Sequence, residues 1–216
     1  DLLTGAEAPA GVADQFNARV LLFDITAGVT RQPPADFVLG QTGFALKDTV
    51  PTDVVLAGPH GLDYDPVREW LFVADGSTGN RVLIFDLSAG VSNGMAAATV
   101  LGQADFASML TATSAAGMSN PLDTAYDAIN DDLLDADAAN NRVLVFDLAS
   151  TPANGQAAAF AYGQPDLDTG TQYIGAERSI LTLGWPGGLA IHPVSGLLAI
   201  AQEDDDRVLL LLPFII

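Results

Sequence analysis

The sequence has no cysteine, one lysine, two histidines and two tryptophans in 216 residues. Without cysteine there are no disulfides, thiolate metal sites, cysteine nucleophiles or covalent haem attachments. Basic residues are scarce: eight, with Lys47 the single lysine, against 27 acidic ones, for a net charge of −19. That charge repels nucleic acid and anionic lipid, and it favours cations or a basic partner. Long apolar runs are missing too. Val208 to Ile216 is nine residues, broken by Pro213, and too short to cross a bilayer. Asp1-Leu2-Leu3 lacks a basic segment and a long apolar stretch, so no signal peptide is expected at the start. No nucleophile elbow, phosphate-binding loop, dinucleotide fingerprint or His-Glu-x-x-His is present.

What is there is apolar and repetitive. Hydrophobic residues make up 49% of the chain, which argues against disorder. The acidic residues are mostly aspartates, which suit tight turns. Three segments read almost alike: Arg19-Val-Leu-Leu-Phe-Asp-Ile25, Arg81-Val-Leu-Ile-Phe-Asp-Leu87 and Arg142-Val-Leu-Val-Phe-Asp-Leu148. Arg207-Val-Leu-Leu-Leu-Leu212 is a weaker copy, and the arginines lie 62, 61 and 65 residues apart. Gly40-Gln41, Gly102-Gln103 and Gly163-Gln164 keep the same period. Two independent markers on one period define a tandem repeat.

Each unit holds four apolar segments of strand length, bounded by Gly, Pro, Asp and Asn. In the best copy they are residues 61–65, 70–75, 81–87 and 97–102, here called strands a to d. The first unit lacks strand a, with strand b expected at 11–14, and the last stops after strand c. Four antiparallel strands per unit, stacked on neighbours, predict an all-β fold, a β-propeller of four-stranded antiparallel blades. The chain supplies about three and a half blades, at 1–41, 59–103, 121–164 and 186–212. Long d–a loops, 42–58, 104–120 and 165–185, join them. The count predicts a partial ring or part of a larger propeller. In an up-and-down blade the b–c and d–a connections emerge on one face, which should be rich in loops.

Val73-Ala-Asp75 and Asn80-Arg-Val-Leu-Ile-Phe-Asp86, preceded by Pro59-His-Gly-Leu-Asp63, resemble the NHL repeat; Asp137-Ala-Ala-Asn140-Asn141-Arg142-Val143 is a still closer copy. Val100-Leu-Gly-Gln103-Ala-Asp-Phe106 resembles the long-repeat bacterial and archaeal members of that family. The resemblance covers nearly the whole chain and implies a propeller, commonly of six blades. It says little about function, because the motif residues are structural.

The repeated residues read as scaffold. Arg19, Arg81, Arg142 and Arg207 start strand c and are expected to tie turns together through the five donors of each guanidinium. Asp75 and Asp137 are expected to cap turns. The glycines of the Gly-Gln pairs suit positive φ, and their glutamines suit satisfying backbone groups.

Residues that break the repeat are the candidate sites. Asp204, Asp205 and Asp206 are adjacent carboxylates that repel unless solvated or bridged, which makes Ca²⁺ the expected cation there. Trp185, with Tyr173 in the same loop, is a candidate ligand contact or a plug beneath the loop. His60 sits at the expected mouth of the central channel. Propeller lyases resembling this family bind zinc through histidine in that slot, but the equivalent slots here hold Leu122 and Gly187, and one ligand does not make a site. His192 takes the position of Asp65 and reads as a capping residue.

Near-constant strands joined by differing loops predict a non-enzymatic binding or assembly scaffold. The composition suggests an extracellular or cell-surface setting. A protein, peptide or glycan partner is expected on the loop-rich face, or self-association that closes the ring, with neither nucleic acid nor membrane insertion. The alternatives are a metal-dependent propeller enzyme of lyase or lactonase type, and a structural subunit of an extracellular filament or sheath.

Overall fold

The structure, a computed structural model, describes residues 10–25, 33–172 and 182–212. Fourteen strands form four antiparallel sheets among these residues. The first sheet holds β1 (Ala10–Asp14), β2 (Arg19–Phe23) and β3 (Phe37–Leu39). The second is the meander β4 (Pro59–Asp65), β5 (Trp70–Asp75), β6 (Arg81–Asp86) and β7 (Thr99–Leu101). The third repeats it as β8 (Pro121–Asp127), β9 (Asp132–Asp137), β10 (Arg142–Asp147) and β11 (Phe160–Tyr162). The fourth comprises β12 (Pro186–Ile191), β13 (Leu198–Gln202) and β14 (Arg207–Leu211). This is three and a half blades, with the first sheet lacking strand a and the last lacking strand d among the described residues. Among the described residues no helix is long and apolar enough to cross a membrane.

The middle strands of each blade read as continuous apolar runs because both of their faces are covered. Leu71, Val73, Leu83 and Phe85 face the first blade, against Val20, Leu22 and Leu39. Phe72, Val82 and Ile84 face the third, against Leu133, Leu144 and Phe146. Leu134, Val143 and Val145 then meet Leu198 and Ile200 of the fourth. The period-2 alternation of a strand therefore serves two interfaces at once.

Strand a begins two residues earlier than expected, at Pro59. The register shifts between Pro59 and Leu62, and again between Pro121 and Thr124 and between Pro186 and Gly188. A bulge of this kind re-aims the residues within it. His60 and Gly61 lie within it and line a concavity with Leu122 and Gly187 of the next two blades. Strand d starts two residues later than expected, at Thr99, and ends where Gly40, Gly102 and Gly163, at φ of 82°, 81° and 88°, steer the chain off the blade.

The arginine column is the main fastening. Arg81 is fully buried. Its Nε donates to Asp75 Oδ2 at 3.0 Å, one terminal nitrogen to the carbonyl of Val55 at 2.8 Å, and the other to the carbonyl of Phe106. Val55 lies in the loop before this blade and Phe106 in the loop after it. Arg142 does the same with Asp137 (2.6 Å), the carbonyls of Ser114 and Gly117, and that of Leu167. The aspartates were expected to cap their own turns. Asp75 instead accepts the amides of Ala57 and Gly58, and Asp137 accepts that of Ser119 as well as Asn140 Nδ2 of its own turn, so each holds the incoming d–a loop. Gln41, Gln103 and Gln164 fasten the outgoing loop, each donating to the carbonyl seven residues on and to the carbonyl just before the arginine.

That preceding residue is left-handed in every blade: Ala18, Asn80, Asn141 and Asp206 have φ of 51°, 49°, 52° and 48°. Asn and Asp tolerate this conformation, whereas alanine does so only at a cost. Ala18→Gly should therefore stabilise the fold by about 1 kcal/mol, read as a higher urea midpoint at constant slope. Arg81→Met should destabilise it by about 3–5 kcal/mol in the same measurement, because Asp75 is left as an uncompensated buried charge.

Candidate functional site

Two surfaces carry the chemistry-bearing residues: the inner wall of the arc, built by β4, β8 and β12, and the loop face above it. On the wall, the carboxylates of Asp63 and Asp123 step from blade to blade. Asp63 accepts the amide of Tyr126 at 2.6 Å, and Asp123 that of Leu189 at 2.7 Å. Each also accepts the amide next to it in its own strand. These bonds satisfy backbone donors that an innermost strand otherwise leaves to solvent. Gly61 makes room for the contact: a Cβ there would lie 2.0 Å from Asp123 Oδ1 and 2.6 Å from its Cα. Burial raises both carboxyl pKa values against the lowering effect of the amides, Asp123 to about 6.

His60 lies in a concavity of about 340 Å³ shared with Gln15, Gly61, Leu122, Asp123, Gly187 and Gly188. Its Nε2 is 2.9 Å from the Gln15 amide nitrogen and 3.4 Å from Ser77 Oγ. Burial lowers its pKa, while the charges of Asp75 and Glu203 oppose the change. The bulge does bring the slots of His60, Leu122 and Gly187 together at one mouth, but they supply a single imidazole. Among the described residues no group of three His, Asp or Glu side chains is arranged to hold a metal. The zinc implied by the family resemblance does not fit these residues.

The aspartate triplet is drawn apart by the repeat. In the fourth blade Gln202 stands where Asp75 and Asp137 stand in the others, and it accepts the amide of Gly184. Asp205 supplies the missing carboxylate from three residues on, pairing with Arg207 at 3.0 Å. Asp206 occupies the left-handed slot, and Asp204 accepts from Gln172 Nε2 at 2.7 Å. Three scaffold roles thus account for three carboxylates that do not converge.

Trp185 is half-buried and left-handed, at φ 46°. Its amide donates to Asn141 Oδ1, as the amide of Asn120 does to Asn80 Oδ1 one blade earlier. Its backbone therefore fills a repeat position. Tyr173 lies outside the described residues. His192 caps the a–b turn through Nδ1, which accepts the amides of Val194 and Ser195, as Asp65 and Asp127 do in their blades.

Two further residues were not among the candidate sites expected from the sequence. Arg68 reaches from the second blade to Asp131 and Tyr126 of the third while holding Asp65, and stacks over Trp70 at 5.0 Å. Its signal was weak because no other blade has an arginine in that turn. Asp135 is fully buried and neither of its oxygens has a hydrogen-bond partner in the protein. It faces the second blade from the position that Val73 and Ile200 hold in theirs. That substitution of acid for β-branched residue was visible in the repeat columns. Burial, then the charges of Asp137 and Asp123, push its pKa well above the carboxylate range, with only Arg142 opposing.

Antiparallel sheets packed face to face around a common axis define the β-propeller fold, and solved propellers superpose on this chain. A chain of the mitotic checkpoint complex matches 95% of it with a TM-score of 0.53 at 10% identity, and Saccharomyces cerevisiae Sqt1 matches 97% with 0.53 at 14%. A Bacteroides uniformis protein provisionally named a 6-phosphogluconolactonase matches 98% with 0.53 at 12%. The chain spans 45%, 43% and 66% of those chains respectively. At these identities the likeness is one of fold. No family model and no curated protein matches the sequence.

Because the folded pKa of Asp135 is raised above its unfolded value, the stability tied to its neutral form is complete below about pH 4. It is lost as pH rises through the folded pKa. Asp135→Val should be more stable than the parent at neutral pH by at least about 1–3 kcal/mol. The gap should shrink as pH falls toward 4 in urea unfolding.

Proposed function

We propose that the chain is a non-enzymatic binding and assembly scaffold of NHL type, acting outside the cell, with a protein, peptide or glycan bound on its loop face. One observation supports this above the rest: loops that are fastened at both ends still expose large apolar side chains. Val50 and Leu110 are 75% and 76% exposed, Phe44, Leu46 and Met109 are exposed beside them, and Phe16 of a b–c turn is 82% exposed. The arginine, aspartate and glutamine bonds hold these loops in place, which lowers the ordering entropy that binding would otherwise cost. Pre-formed loops with exposed apolar groups on an invariant scaffold suit recognition.

The enzymatic alternative draws on a separate observation, the raised pKa of Asp123 in the same concavity as His60. Peptide and glycan arrays, paired with lactone-hydrolysis assays, separate the two. The scaffold reading expects an array ligand whose affinity drops at least about tenfold in Val50→Ser/Leu110→Ser, with the melting temperature unchanged. Turnover of a lactone by the purified chain with added Zn²⁺ or Ca²⁺, abolished by Asp123→Asn, would overturn it.

A further inference from the structure

Resting on the loop-face reading, we infer that the partner is a cationic amphipathic polypeptide segment, with large apolar side chains interleaved with lysine or arginine. The exposed apolar residues of this face do not stand alone. Around them the loops and b–c turns expose Asp48, Asp105, Asp166, Asp168, Glu203 and Asp204, and Lys47 is the one exposed base on the face among the described residues. Phe16 and Glu203 lie in b–c turns, and Phe44, Val50, Met109 and Leu110 in d–a loops. The two kinds of connection are bonded to each other: Asn80 donates to the carbonyl of Met109, Asn140 to that of Ala112, and Gln172 to Asp204. They form one surface rather than separate protrusions.

The arginines that might offset the carboxylates are already committed. Arg81 and Arg142 are fully buried beneath the loops, and Arg19 is paired with Asp14. The outward-facing potential is therefore negative, while the contact atoms offered are largely apolar. A polyanion such as nucleic acid or an anionic bilayer is repelled. A neutral glycan makes no use of the charge. A peptide carrying both apolar and basic groups meets both features, the charges steering encounter and the apolar side chains holding the complex.

The opposite face supplies an internal control. Its a–b turns also expose one aliphatic residue per blade, Val67, Ile129 and Val194.

The test is fluorescence anisotropy with two labelled synthetic peptides of one amphipathic pattern, Leu/Lys and Leu/Glu, titrated with the intact chain. The Leu/Lys peptide should bind and the Leu/Glu peptide should not. Val50→Ser/Leu110→Ser, which leaves the charge unchanged, should weaken binding about tenfold or more. Val67→Ser/Ile129→Ser should leave it as it was, with melting temperatures confirming that both variants fold. Equal binding of the parent and the loop variant would reduce the interaction to bulk charge and overturn the inference. So would binding of the Leu/Glu peptide, or loss in the a–b variant. If the Leu/Lys peptide fails to bind but an array ligand still depends on Val50 and Leu110, the cationic partner falls and the loop-face reading stands.

Discussion

The guanidinium of Arg81 sits in a sealed space between two loops and an aspartate, and the architecture follows from how that charge is compensated. Burying a guanidinium costs several kcal/mol unless its donors are met. Asp75 and two loop carbonyls meet them, and those carbonyls come from the loop before the blade and the loop after it. One side chain therefore joins three segments far apart in sequence. Repeated at Arg142, and more loosely at Arg19 and Arg207, the same bond set turns loops of more than a dozen residues into fixed parts of the structure.

The fourth blade shows that the requirement is chemical rather than positional. Gln202 replaces the aspartate of the column, and a carboxylate reappears three residues later as Asp205, pairing with Arg207. What persists is the pairing of a buried cation with an anion. A run of three aspartates that suggests a cation site in the sequence is, in the fold, a relocated partner, a left-handed turn residue and a hydrogen-bond acceptor for a loop glutamine.

Fastened loops allow the molecule to keep apolar groups in water without collapse. Leu110 is exposed although its own amide is bonded to Gln103, because the clamp fixes the backbone and leaves the side chain no core to enter. The inner wall works differently. There Asp63 and Asp123 are used to satisfy neighbouring strands, and their raised pKa values reflect their burial. Polar groups bind the scaffold together on the wall, and apolar groups face outward from the loops.

The sequence by itself determined the repeat, the strand segments and the structural character of the arginine, glycine and glutamine columns. These are local patterns copied several times, so each copy checks the others. Strand b of the second blade was legible for that reason, at Trp70–Asp75. Blade-to-blade packing decided the rest. The start of strand a at Pro59 depends on a bulge that only its neighbouring strand defines, and the approach of Asp123 to Gly61 depends on two blades meeting. The isolation of Asp135 depends on the apolar face of the blade beside it. Whether a loop leucine is core or contact surface is likewise a question of what lies next to it in space, and periodicity along the chain carries no record of that.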